Sequence, residues 1–98
     1  MTLSRDDYIV QGVPYSIREV PGGDARLDDS YGKVCWGEYR IYIESDGPWE
    51  EKIETLIHET MHIIHRGMDC LDITREDSLR WFSAVLVDTL VRNGILVQ

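Results

Sequence analysis

Residues 48–67 read PWEEKIETLIHETMHIIHRG, and their spacing predicts one amphipathic helix that decides the architecture. At roughly 100° per residue, Trp49, Ile53, Leu56, Ile57, Thr60, Met61 and Ile64 fall on one broad stripe that needs a surface to cover it. His58, His62 and His65 fall on an adjacent, separate stripe. One side of the helix is therefore expected to pack on a sheet while its neighbour faces a cleft. Pro48 suits a first helical position, Glu50 and Glu51 suit the positive end of the helix dipole, and Gly67 suits the terminator.

Upstream, the chain alternates like strands. Residues 8–11 and 13–20 flank Gly12 and predict a hairpin, with Pro14 pointing to an exposed edge. Residues 21–24 break regular structure, and 25–29 read as a loop or a short turn. Residues 31–36 and 39–44 predict a second hairpin around Gly37, with Tyr39, Ile41 and Ile43 on one face and Arg40, Tyr42 and Glu44 on the other. Downstream, Thr74 is a candidate cap, with Asp77 three residues on, for a second helix. Leu79, Phe82, Leu86 and Leu90 form its core stripe, and Asn93-Gly94 ends it. The apolar tail after Gly94 is expected to dock on the body. The sum is one α+β domain over 1–98, a small antiparallel sheet packed against two C-terminal helices.

The 98 residues suit a single hydrophobic core. The formal net charge of −8 and the scattered arginines argue against nucleic acid, which needs a clustered positive surface. No apolar stretch approaches the ~20 residues of a membrane helix, and no secretory core follows Met1, so a cytoplasmic location is expected. Cys35 and Cys70 read as reduced, half-buried residues, with Cys70 near enough in sequence to the helix to approach a metal. At least two of Trp36, Trp49 and Trp81 are expected in the core.

The chemistry is concentrated at residues 58–62. Side chains four apart stack on a helix, so the imidazoles of His58 and His62 can grip one ion. Glu59 lies roughly 60° around the helix from His62. There it can accept a proton from a water activated by the ion, which points to zinc and hydrolysis. A catalytic site also needs a third protein ligand. His65 lies seven residues, roughly 10 Å, along the helix from His58, too far for both to reach one ion. Asp69 and Asp72 in the connecting segment remain candidates. Glu76 is preferred, because its spacing to Leu79 and Phe82 sets it along the edge of the second helix that faces the protein. Tyr39 or Tyr42 is a candidate oxyanion donor, and the strand over 39–44 a candidate guide for an extended substrate if it lies at an edge. The alternative to an enzyme is a non-catalytic, metal-stabilised interaction module.

The motif at 58–64, followed by Glu76, Leu79-Arg80, Phe82-Ser83-Ala84 and Leu86, resembles the paired helices of ImmA/IrrE-type metallopeptidases. The resemblance covers roughly the second half of the chain. It implies a minimal zincin-like, phage-like enzyme with zinc on His58, His62 and Glu76, and with Glu59 as general base. It also implies a protein or peptide substrate, such as a regulatory protein.

Overall fold

Gln11 and Gly12 both carry positive φ, 49° and 83°, the backbone of a two-residue primed turn whose twist matches the strands it joins. In the computed structural model, which describes residues 2–67 and 75–96, this turn links β1 (Arg5–Val10) to β2 (Val13–Val20) as an antiparallel hairpin. A second antiparallel hairpin pairs β3 (Gly32–Cys35) with β4 (Arg40–Glu44) across a 3-10 turn at Trp36–Glu38.

The two hairpins join side by side in parallel: β4 lies next to β2, giving the order β1-β2-β4-β3. The sheet of this α+β fold is therefore mixed rather than wholly antiparallel. The reason lies in three successive apolar residues, Ile41, Tyr42 and Ile43, which are 0%, 4% and 0% exposed. A strand buried on both faces belongs inside a sheet. Ile41 and Ile43 enter the main core beneath the helices, whereas Tyr42 joins Val20 and Leu27 in a small second core on the other face. The 3-10 turn Ala25–Leu27 supplies that second cover.

Helix α1 (Trp49–Arg66) lies against β1, β3 and β4, and α2 (Glu76–Arg92) packs on α1. The face that α1 buries is Leu56, Glu59, Thr60, Ile63 and Ile64. Met61, expected in the stripe, is 40% exposed. The helix is rolled so that Glu59 and Ile63 turn inward and Met61 turns out. On α2 the buried residues are Ser78, Phe82, Thr89 and Leu90, with Leu86 half-buried, while Leu79 is exposed. Thr74, the expected cap, lies outside the described residues, and Arg75 precedes the helix without a side-chain capping bond. The expectation for the tryptophans fails: Trp36 and Trp81 are on the surface, and Trp49 alone packs, half-buried, against the core. Cys35 is a free, half-buried thiol donating to Glu38 at 3.2 Å. Cys70 lies outside the described residues.

The end of α2 is tied to the far edge of the sheet. Ile95 N–H reaches back to Leu90 C=O at 2.8 Å past Gly94, whose φ is +74°, and Ile95 packs on the core. Asn93 then acts as a short strand of its own. Its Oδ1 accepts from Ile9 N–H at 2.8 Å and its Nδ2 donates to Ile9 C=O at 2.7 Å.

A largely buried ion pair clamps α1 to β2: Lys52 Nζ stands 2.8 Å from Glu19 Oε1, with side chains 12% and 10% exposed. Burial by itself would raise the Glu19 carboxyl, but Lys52, the Leu3 N–H and Thr2 together hold it below its ordinary value. The folded state thus binds fewer protons here than the unfolded chain. The stabilisation is complete above the ordinary carboxylate range and is lost as pH falls through the depressed folded value. Glu19→Gln is expected to cost about 1–3 kcal/mol at pH 7. Denaturant unfolding should show the gap between variant and wild type closing at acid pH.

Candidate metal centre

The roll of α1 brings two imidazoles together on its exposed rim. His58 and His62, one turn apart, face each other with Nε2 atoms 3.0 Å apart, ring centroids at 4.7 Å and planes at 82°. Two arrangements give such an approach: an N–H···N hydrogen bond between neutral rings, or two lone pairs turned toward one ion, and the tautomers distinguish them. Glu59 completes the group, since one ligand atom from each of His58, Glu59 and His62 lies within 4.8 Å of the others. Two imidazoles and a carboxylate form a donor set that can hold a divalent metal ion. Among the described residues this is the group of three that does so.

Glu59 differs from its neighbours in being 7% exposed. It sits on the flank of α1 that meets the edge strand β3, at Gly32. Burial raises its carboxyl above the ordinary value, with smaller opposing pulls from His62, His58 and Lys33. A carboxylate held this way favours a proton or a nearby cation more than a solvated one does.

None of the other described candidates joins this group. His65 is exposed. Glu76 lies outside the trio, exposed in the first turn of α2 and bordering a shallow depression with Arg75, Asp77 and Arg80. Asp69 and Asp72 lie outside the described residues. Tyr42 is committed to the far face of the sheet, within reach of Glu38 and Arg40, and so cannot serve the site. Tyr39 is 55% exposed and lies 5.7 Å from Tyr15. The strand over 39–44 is interior, so the edge beside the site is β3 instead.

Sequence reasoning missed what surrounds the trio. Gly32 and Thr55 meet beside Glu59, and farther along the same seam the Arg66 guanidinium stacks 4.0 Å over the Trp36 ring. A cleft of about 240 Å³ opens one turn before His58, lined by Tyr31, Glu44, Glu51, Glu54 and Thr55 among others. Only the contact between strand and helix places these residues together, and no local spacing announces it.

No helix among the described residues is long and apolar enough to cross a membrane. No protein-family model matches the chain, and comparisons with curated proteins and with solved structures returned no match.

Because the folded-state carboxyl of Glu59 is raised, its ionisation costs stability in the metal-free protein. That cost is absent below the ordinary carboxylate range and grows as pH rises through the folded value. Glu59→Gln in chelator is therefore expected to melt above wild type at pH 7, with the difference vanishing on acidification. A variant that melts below wild type at pH 7 contradicts this assignment.

Proposed function

We propose that the chain is a minimal zinc-dependent peptidase of the ImmA/IrrE type. His58 and His62 would hold the metal, and Glu59 is the general base. Glu76, which stands outside their group, is proposed as the third ligand on the sequence resemblance alone. The observation that carries this reading is the meeting of two imidazole nitrogens beside a buried carboxylate. Two nitrogens at about 2.05 Å from one tetrahedral zinc stand roughly 3.3 Å apart. The separation of 3.0 Å needs only a small opening to reach that geometry.

Zinc, when bound, supplies Lewis acidity that brings a water toward ionisation near neutral pH and polarises a carbonyl. Glu59 removes one proton from the water that attacks the scissile carbonyl carbon. It returns that proton to the amide nitrogen as the C–N bond breaks, leaving a carboxylic acid and an amine. Its raised proton affinity suits a group that must both take and give. The outer edge of β3, which no strand among the described residues covers, passes the same flank of α1 and suits an extended peptide, whose backbone would pair with the strand.

The alternative, a metal-stabilised module without catalysis, fits less well. The inner face of α1 is closed by Leu56, Thr60 and Ile64, each 0% exposed, while both histidines are at the surface. A fold that closes its core without the ion gains little structural support from it. A structural site also has no use for an acid beside its ligands.

Purified protein should bind about one zinc per chain, and His58→Ala or His62→Ala should abolish binding at micromolar metal. Glu59→Gln should keep its zinc and lose peptide cleavage by about 100-fold or more. Undiminished cleavage in that variant would remove Glu59 from the mechanism. For the third ligand, Glu76→Ala should weaken zinc by at least about tenfold. Full occupancy at low metal would reassign that position to Asp69, Asp72 or solvent.

A further inference from the structure

Gly32 opens β3, and the place where its Cβ would stand is already filled. Such an atom would lie 2.5 Å from Thr55 Cγ2 and 3.2 Å from Glu59 Cγ. Carbon atoms pack comfortably at about 3.5–4.0 Å, so even a methyl group would force strand and helix apart. The backbone does not itself ask for glycine here. The glycines with positive φ are Gly12, Gly23 and Gly94, and Gly32 is not among them. It is the close approach of α1 that calls for a residue without a side chain.

Thr55 is not free to yield. Its Oγ1 donates to Glu51 C=O at 2.9 Å, which holds the side chain in the rotamer that turns Cγ2 onto the strand. The stem of Glu59 rests on the same glycine from the next turn of the helix. The position of Glu59 beside His58 and His62 is thus bounded on one side by the strand backbone and Thr55.

We propose that Gly32 and Thr55 form a steric seat that positions Glu59. The pair sets how close the carboxylate stands to the ion-binding imidazoles and to the water it deprotonates. Neither residue touches metal or substrate, so both are positioning residues, and their role rests on the function proposed for Glu59.

The test compares wild type, Gly32→Ala, Thr55→Ser and the double variant, with Glu59→Gln as reference. Serine keeps the hydroxyl that bonds Glu51 and deletes the methyl that an alanine at 32 would strike. In metal-free protein, Gly32→Ala should lower the melting midpoint by several degrees, and Thr55→Ser should restore more than half of the loss. Loaded with Co2+, Gly32→Ala should bind the metal within about threefold of wild type, less than the loss of a ligand's own support. Its visible absorption band should shift in the direction seen in Glu59→Gln and return in the double variant. In peptide cleavage, kcat should fall about tenfold or more at unchanged KM and recover in the double variant.

A Gly32→Ala protein with wild-type midpoint and spectrum overturns the seat, as does failure of Thr55→Ser to rescue either. A rescued midpoint with an unmoved Co2+ band also overturns it, because the contact then serves packing alone. Should Gly32→Ala not fold, Thr55→Ser by itself decides: a smaller shift of the same band supports the seat, and an unmoved band rejects it. Absence of peptide cleavage in wild type, with the Co2+ band behaving as described, removes the peptidase reading and leaves the seat standing.

Discussion

The roll of α1 depends on one buried hydrogen-bonded chain. Thr60 Oγ1 donates its proton to Leu56 C=O at 2.7 Å, so the 2.6 Å contact with the Tyr8 hydroxyl must be made by the tyrosine's proton. Tyr8 and Thr60 are each 0% exposed, and loss of the Thr60 hydroxyl would leave that of Tyr8 buried without this partner, at about 1–3 kcal/mol. Once Thr60 faces β1, the 100° step of the helix determines the rest. Glu59 swings to the flank beside β3, and His58 and His62 reach the outer rim. The inner position of the five-residue motif, which contributes no metal-binding atom, aims the others.

The same packing leaves the two edges of the sheet unequal. On β1, the Asn93 amide takes both free groups of Ile9, while Arg5 reaches over to Asn93 C=O at 2.6 Å. That edge is closed to another strand, a common protection against edge-to-edge association. On β3 the outer side has no neighbouring strand among the described residues. The open edge is the one that runs past Glu59, where an extended peptide would have to lie for the proposed chemistry. A short strand of four residues with Lys33 in it limits indiscriminate pairing there.

Much of this was legible in the sequence because it is local. Both hairpins follow from period-two alternation broken at Gly12 and Gly37. The ends of α1 follow from Pro48 and Gly67, and the end of α2 from Asn93-Gly94. The meeting of His58 and His62 follows from helical spacing alone. What escaped is what only tertiary packing decides. The parallel junction of β2 with β4 needs the second core around Tyr42, which no hairpin signal reveals. The exposure of Met61 and Leu79 reflects small rotations of helices whose stripes were assigned by periodicity. Tyr8 could not be matched to Thr60, nor Gly32 to Thr55, because each pair is separated by more than twenty residues of chain. Glu76, chosen from its place on α2, is exposed, since the first turn of the helix buries Ser78 rather than Glu76, in line with Phe82, Thr89 and Leu90 farther on.

Glu59 is the point where local and global demands conflict. The flank of α1 against β3 would pack best with an apolar side chain, as Ile63 does one turn later. A carboxyl there raises its own proton affinity and weakens the metal-free fold when ionised. Paired exposed histidines have a bland explanation in a simple N–H···N contact, but that contact requires no buried acid beside it. A cation held by the two imidazoles would remove the conflict, because it would supply a counter-charge to a buried carboxyl that, unlike Glu19 with Lys52, forms no ion pair among the described residues. Sequences that break a packing rule without local compensation do so most often where chemistry requires it. That imbalance, more than the motif's spelling, is the physical reason to read His58, Glu59 and His62 as one working unit.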